Sequence, residues 1–458
     1  MENAINNVLS SMGGILFGPV MLCVYFGVGL MFTVLLKGVQ FRRFGAALRE
    51  CVFHKQHEGT GQIKSMQALA TALSSCVGNG NVVGVANAIA VGGPGAVFWM
   101  WIAAVLGMAT KFAEICLAMH YRVKDDKGNY RGGVMYILSR GMKNRAAGTL
   151  LGGAFSVFTI FVCLASCGAL QANTIASAVT SVTRIPAEVV AIGIMLIEAL
   201  VIFGGLKKIV ETTSFLTPVM AIIYIGFGLI IVVLHISEVP TALWYIVKSA
   251  FTGDAAIGGV AGATMSFAIQ KGVSRGVFSN EAGVGSSAMI HAAAKVDVPA
   301  RQSLYGIIEV FFDTIIICTI TALVIMLTGV WNIGEQDGAI LASMAFTRHF
   351  GGIGTFVLTV SLLLFCLSTI LGWYTYGESA FVFLFGTRWI NVFRVLHTVL
   401  CSSGALVSVA LMWNAADVCN GLMALPNLFS LFLFCGVIVK DTKAFFESYD
   451  SGSASIVE

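Results

Sequence analysis

Apolar runs long enough to cross a bilayer recur along almost the entire chain, and the stretches between them are short and polar. A helix needs about 20 predominantly apolar residues to span the hydrocarbon core. On that measure the pattern predicts eleven spans, at 14–36, 65–91, 95–121, 150–180, 186–204, 213–235, 256–275, 299–328, 353–381, 389–410 and 415–439. The expected fold class is therefore an all-α integral membrane protein of about eleven transmembrane helices. Composition agrees. Of 458 residues, 57% are hydrophobic and 11% charged, against about 25% charged in a soluble domain. No sizeable soluble domain is expected, and the first residues, Met1-Glu-Asn-Ala-Ile-Asn-Asn, lack the basic start of a cleaved signal peptide.

The net charge of +4 says little, but its placement orients the chain. Of 27 Lys and Arg, 23 lie in the segment 37–64, in alternate connections after it, and in the tail from Lys440; Arg184, Lys248 and Arg348 lie on the other side and Lys111 inside a span. The positive-inside rule then puts the N-terminus outside and the C-terminus in the cytoplasm of a multi-pass cell-membrane protein. Within 37–64, Phe41, Phe44, Leu48 and Val52 recur at helical spacing with Arg42, Arg43 and Arg49 between them. This suits either an amphipathic helix on the cytoplasmic membrane surface or a plain connector.

Setting the first span aside leaves ten, in two sets of five. The expected organisation is an extra N-terminal helix and connector (1–64), a first five-helix repeat (65–235), a second (256–439) and a cytoplasmic tail (440–458). Five is odd, so the repeats are inverted. The second span is interrupted by Gly78, Gly80 and Gly84 beside Asn79, Asn81 and Asn87. The seventh reads Ile257-Gly-Gly-Val-Ala-Gly-Ala-Thr-Met-Ser-Phe, also rich in glycine. Glycine-interrupted helices at matching places in two halves point to a transporter's binding site at the repeat interface.

Each interior glycine costs a helix about 1 kcal/mol relative to alanine, and unwound backbone survives in a membrane only where protein buries it or water reaches it. A break at 76–81 frees amides at Gly78, Asn79 and Gly80 for a carboxylate. It also frees carbonyls near Ser74, Cys76 and Val77, with the Asn81 oxygen, for an amine or a hard cation. The plain alternative is a packing groove, since Gly80-Asn-Val-Val-Gly84 is a small-xxx-small motif. Gly78-x-Gly80-x-x-x-Gly84 also imitates a dinucleotide fingerprint, but it follows no strand and no acid stands about 20 residues on.

Elsewhere, Ser368 and Thr369 sit side by side in the ninth span, with Trp373 one turn on as a wall for a small pocket or a packing residue. Glu198, Glu309 and Asp313 lie within apolar spans, where carboxylates are expensive and functional by default. Asp313 is the candidate for proton or cation coupling. Gln171 and Asn173 read as glue between helices or as substrate-facing groups. Arg394 and His397, near a cytoplasmic end, are expected to snorkel. Eleven scattered cysteines read as buried free thiols.

The runs Val77-Gly-Asn-Gly-Asn-Val-Val-Gly-Val-Ala, Gly92-Gly-Pro-Gly-Ala-Val-Phe-Trp-Met-Trp, Gly107-Met-Ala-Thr-Lys-Phe-Ala-Glu, Arg275-Gly-Val-Phe-Ser-Asn-Glu-Ala-Gly-Val-Gly-Ser and Ser368-Thr-Ile-Leu-Gly-Trp-Tyr-Thr-Tyr-Gly-Glu resemble the alanine or glycine:cation symporter family. The resemblance implies a LeuT-type 5+5 inverted repeat with one added N-terminal helix. It implies a substrate site at Cys76, Gly78, Asn79 and Gly80, walled by Gln171, Ser266 and Trp373. It further implies one sodium site at Ser74, Val77, Ser368 and Thr369, and a second at the Cys76 carbonyl, Asn81 and Thr264. Asn79 stands where many relatives have Thr, which bears on the substrate. Asn280-Glu281 matches too, but has no physical account beyond a cytoplasmic connection.

The expected function is sodium-coupled symport of a small neutral amino acid, alanine or glycine first, by a monomer in the lipid bilayer with no nucleic-acid partner. Within that class the rivals are proton coupling through Asp313 and another neutral substrate such as glutamine or serine. A different class, an ion channel, lacks its selectivity repeats, and no catalytic motif or metal-ligand cluster marks an enzyme.

Overall fold

A computed structural model describes residues 2–16, 18–53, 59–252, 265–335, 337–407 and 409–451. Nearly all of these are helical, apart from a two-stranded hairpin that pairs Val123 with Arg131 and Lys124 with Tyr130. Six described helices are long and apolar enough to cross a membrane: Gly95–His120, Arg145–Val182, Gly205–Leu234, Pro299–Leu327, Gly352–Phe385 and Trp413–Leu433. Two bent pairs raise the number to eight if each is one span: Asn6–Leu16 with Pro19–Leu35, and Ser65–Cys76 with Gly80–Gly92. The helices at the expected spans 186–204 and 389–410, Ala187–Ile202 and Ile390–Ser403, have 16 and 14 residues, fewer than the roughly 20 of a full crossing. Length and composition alone thus give six to eight spans where the hydropathy pattern gave eleven.

The Gly95–His120 helix forms the centre, with Phe112, Ala113, Ile115 and Cys116 fully buried. Pro299–Val310 and Met265–Asn280 pack along it. Without a hydrophobic drive between helices in lipid, close packing of small residues carries association. Gly272 shows this, because a Cβ there would stand 2.2 Å from the Ala96 carbonyl and 2.9 Å from the Trp99 Cβ. Large apolar side chains such as Leu150, Leu200, Phe215, Ile222 and Phe356 face outward, as a lipid-facing surface requires.

One element departs from the sequence reading. The glycine-rich run 257–264 lies outside the described residues. From Met265 the chain is helical to Asn280, and the irregular backbone comes after it, with positive φ at Glu281 (57°), Gly283 (92°) and Gly285 (81°) before a short helix Ala288–His291. Hydropathy ended the seventh span at 275 because Lys271, Arg275, Asn280 and Glu281 are polar. The structure instead buries Arg275, Asn280 and Glu281 inside the protein, each less than 10% exposed. The segment 281–294 is buried throughout and is not an exposed connection.

The connector folds as two short helices, Val39–Arg42 and Phe44–Val52, that leave Phe41, Leu48 and Val52 exposed. Arg43 clasps both carboxylate oxygens of Asp450 at 2.6 Å and lies 4.3 Å over the Phe446 ring. That ties the connector to the C-terminal helix Cys435–Asp450. All eleven cysteines are free; seven are buried and Cys23 is exposed.

If the Gly272 contact holds the two helices together, Gly272→Val lowers the melting temperature of the detergent-solubilised protein, with a loss of about 1–3 kcal/mol. Gly276→Ala, whose Cβ would have its nearest neighbours at 3.5–3.7 Å, stays within about 0.5 kcal/mol.

Candidate functional site

The Ser65–Cys76 helix ends at Val77, whose ψ of 95° is extended, and the chain resumes as a wide π-helical turn at Gly80–Gly84 after a bend of 53°. The groups freed by the break are met by side chains from elsewhere. The Gly78 amide donates to Asn81 Oδ1 at 3.0 Å, and the Asn79 amide to Gln171 Oε1 at 3.2 Å. Gln171 Nε2 returns a bond to Asn79 Oδ1 at 3.0 Å, and Asn79 Nδ2 reaches Thr174 Oγ1 at 3.1 Å. Two of the three amides expected to meet a carboxylate therefore already hold side-chain oxygens, which an incoming carboxylate would displace. Asn173 turns the other way and donates to the carbonyls of Gly404 and Val407 at 3.1 and 2.7 Å, so it is glue between helices.

On the other side of the break four oxygens converge. Thr369 Oγ1 lies 3.2 Å from both the Ser74 and the Val77 carbonyls, and Ser368 Oγ lies 3.3 Å from the Ser74 carbonyl. Both hydroxyls also bond back to the Phe365 carbonyl at 2.9 Å, as serine and threonine do in membrane helices. The approach depends on Gly372, where a Cβ would stand 2.2 Å from Ser75 Oγ and 3.0 Å from Ser74 Oγ. Such a set of neutral oxygens, two carbonyl and two hydroxyl, is chemistry suited to a hard cation.

A second polar knot surrounds Asp313. Its Oδ1 accepts from Asn81 Nδ2 at 2.6 Å, and its Oδ2 from Ser279 Oγ and Thr314 Oγ1, both at 2.8 Å. Thr321 Oγ1 donates to the Asn81 carbonyl at 2.7 Å. Asn81 and Asp313 are thus brought together, and Ser279 joins them without having been singled out in the sequence. Thr264 lies outside the described residues. Ser266 is exposed at the start of its helix, and the residues of that helix that meet the break are Phe278 and Ser279, at 3.0 and 3.6 Å from a Cβ on Gly80. Ser266 is a pocket wall only by the resemblance; the helix that carries it is described from Met265, and its far end faces the break.

That far end carries what sequence reasoning missed. Glu281 accepts from Trp373 Nε1 at 2.6 Å and from Ser286 Oγ. Trp373 is 1% exposed. The available signal was Glu281-Ala-Gly-Val-Gly-Ser-Ser, small residues and two glycines straight after a helical run, the same signature as 78–84. Beyond it Lys111 Nζ, fully buried, bonds Glu309 Oε1 at 3.1 Å and Ser287 Oγ at 2.9 Å. Glu309 Oε2 meets His291 at 3.1 Å, and Cys76 Sγ lies 3.3 Å from Glu309 Oε1. Lys111 and Glu309 are a satisfied pair, whose loss on one side only would strand a buried charge.

The two ends of the site differ. Toward one, Arg275 Nη2 bonds Asp417 Oδ2 at 2.7 Å, its guanidinium lies 4.7 Å over Trp413, and Phe278 packs on Trp413 at 5.2 Å, so side chains close over Gly80. Past Trp373, at Tyr374 and Thr375, lies a cavity of about 530 Å³ that none of the residues framing the break lines. Its walls include Tyr130, Arg131, Lys207, Tyr374, Thr375 and Glu378.

Comparison with known proteins gives the family. A model of the sodium:alanine symporter family matches residues 2–458. An uncharacterized transporter of Haemophilus influenzae is 43% identical over 445 residues, covering 97% of this chain and 96% of its own. The sodium/alanine symporter AgcS of Methanococcus maripaludis is 40% identical over 446 residues, covering 96% and 97%. Among solved structures MhsT in complex with L-phenylalanine, of the LeuT fold, superposes with a TM-score of 0.53 over 85% of this chain and 99% of that one. At 13% identity that likeness speaks for the fold alone. Matched along its whole length, the chain belongs to the sodium:alanine symporter family and is a sodium-coupled amino-acid transporter of the membrane.

Proposed function

We propose that the protein carries a small neutral amino acid, alanine or glycine, into the cell with sodium by alternating access. The observation that carries the reading is the meeting of Ser368 and Thr369 hydroxyls with the Ser74 and Val77 carbonyls beside a broken helix. In this reading those four oxygens hold one sodium ion. Asn81 and Asp313, with the Cys76 carbonyl and Thr264, frame a second. The substrate carboxylate takes the amides at Gly78–Gly80 in place of the Asn81 and Gln171 oxygens, with Trp373 and Phe278 limiting side-chain size. Asn79, held by Gln171 and Thr174, narrows the same pocket. The 530 Å³ cavity opens on the side of Arg131 and Lys207, which the positive-inside rule makes cytoplasmic. On this reading the Arg275–Asp417 pair closes the outer side.

The energetics suffice. One charge crossing about 100 mV yields roughly 2.3 kcal/mol. A tenfold sodium gradient adds about 1.4 kcal/mol, so one ion supports a few-hundred-fold accumulation, roughly. Coupling requires that sodium and substrate stabilise each other's bound state, and the effect is reciprocal. A second reading, proton coupling at Asp313, is the less favoured. The matched family is one of sodium symporters, and the Asn81 amide and the Ser279 and Thr314 hydroxyls around Asp313 serve either protonation state.

Ser368→Ala with Thr369→Val removes two of the four oxygens. The sodium concentration that half-saturates binding of labelled alanine, measured at constant ionic strength with choline as replacement, should rise at least tenfold, which is about 1.4 kcal/mol. An unchanged sodium dependence would remove the cation site. Gly80→Val drives a side chain into Phe278 and should abolish alanine binding, whereas Gly84→Ala, with no neighbour nearer than 3.9 Å, should keep it. Asp313→Asn separates the two couplings: it should weaken sodium-dependent binding, and proton-driven uptake that vanishes in this variant would favour the second reading.

A further inference from the structure

Beside the 530 Å³ cavity, two segments far apart in sequence meet backbone to backbone. One leads into the helix Ser65–Cys76; the other follows the irregular stretch after Asn280. Thr60 pairs with Val296 and Ile63 with Ala294. The Gln62 and Ile63 amides donate to the Ala293 carbonyl at 2.8 and 3.3 Å, and the Lys295 amide donates to the Ile63 carbonyl at 2.7 Å. Two glycines permit the approach. A Cβ on Gly59 would stand 2.4 Å from the Val296 carbonyl carbon, and one on Gly61 would stand 2.4 Å from that of Ala294.

Arg122, just past the end of the central Gly95–His120 helix, closes over both segments. Its Nη1 donates to the carbonyls of Ala292 and Ala294 at 3.2 and 2.9 Å. Its Nη2 donates to the carbonyl and the hydroxyl oxygen of Thr60 at 2.9 and 3.0 Å. The guanidinium also lies 4.6 Å over the Tyr130 ring. A planar fork of donors holds two segments at once, which a single ammonium cannot do. These four acceptors are neutral and Arg122 is only partly buried, so parting the segments strands no carboxylate away from its cation.

The place of this clasp gives it a role. Gln62, Ile63 and Ala293 line the cavity, so the paired backbones are part of its wall. The Ser65–Cys76 helix runs from the clasp to the break, over twelve residues or about 18 Å. Gln67 near its start lines the cavity and Cys76 at its end stands at the break. Along its side it is held by neutral hydroxyls, Thr213 Oγ1 on Thr71 Oγ1 and Thr217 Oγ1 on the Ala70 carbonyl, both at 2.9 Å. A stiff half-helix with a break at one end and a clasp at the other turns about the break when the clasp opens. We propose, on the alternating-access reading above, that the pairing of 60–63 with 293–296 is the gate on the cytoplasmic side of the transport path. Arg122 is the positioning residue that holds it shut. Its release frees the half-helix to swing and joins the cavity to the break.

The test locks the gate in the full-length protein. Thr60 and Val296 stand opposite one another, which puts their Cα atoms about 4.5–5.5 Å apart, within reach of a disulfide. Thr60→Cys with Val296→Cys is made with exposed Cys23 and partly buried Cys51 replaced by alanine. After oxidation, mass spectrometry should find the linked peptides. Binding of labelled alanine in detergent should stay within about twofold, while uptake into proteoliposomes falls at least tenfold and returns on reduction with a phosphine. That split between binding and uptake is one a merely structural contact would not produce. Hydrogen exchange needs no substrate and tests the clasp apart from the transport reading. In Arg122→Ala the Gln62 and Lys295 amides should exchange at least tenfold faster, with those of the Gly95–His120 helix unchanged, and Arg122→Lys should not restore the wild-type rate. A linked protein that transports as fast as the unlinked one overturns the gate, and so does a folded double variant that forms no linked peptide. Unchanged exchange at Gln62 and Lys295 in Arg122→Ala overturns the clasp. If the unmodified protein takes up no alanine, the substrate reading fails and the exchange result decides the clasp by itself.

Discussion

A helix that stops inside a bilayer exposes peptide groups with no water to receive them, and each must find a partner within the protein. The break at 77–80 imposes that demand, and much of the surrounding structure answers it. Asn81 and Gln171 take the amides, and Thr369 and Ser368 take the carbonyls. Each partner sits on a different helix from the groups it serves or on the far side of the break. The helices can therefore approach only as closely as small residues permit, which gives Gly372 its place against Ser74 and Ser75. These partners are also weak enough to be exchanged. Side-chain oxygens and hydroxyls that satisfy a freed backbone can yield to a carboxylate and a cation, so in the proposed cycle the repair of the break and the binding of cargo involve the same atoms.

How much of this was legible in the sequence follows from what hydropathy measures. It finds long apolar helices well, and it found the first break because glycine and asparagine stand inside an otherwise apolar run. The glycine-rich run 257–264 lies outside the described residues, and the irregular backbone described in this half comes after Asn280. Arg275, Asn280 and Glu281 are polar, so hydropathy ended the span before them. In the fold these polar groups are buried and paired: Arg275 with Asp417, Asn280 with Thr314, Glu281 with Trp373. Partners distant in sequence cannot be seen in a local window. His397 is a similar case: it is buried and does not snorkel, since its partner Glu198 lies 199 residues away.

Local motifs carried more. Ser368-Thr369 gave weak evidence when read as a pair, because such hydroxyls usually bond to their own helix, and they do so here as well. Their second set of contacts, to Ser74 and Val77, becomes visible only when the two helices are placed side by side. Asp313 was legible by cost: a carboxylate in an apolar span needs a reason, and three donors supply one. Asn173, read with Gln171 as helix glue or a substrate-facing group, is helix glue.

The central claim is that the oxygens around the break couple cargo to sodium. Uptake of labelled alanine into proteoliposomes, under an inward sodium gradient and separately under a proton gradient at matched osmolarity, tests it most directly. The account predicts accumulation above equilibrium with sodium and none with protons alone. Accumulation driven by protons and indifferent to sodium would contradict it.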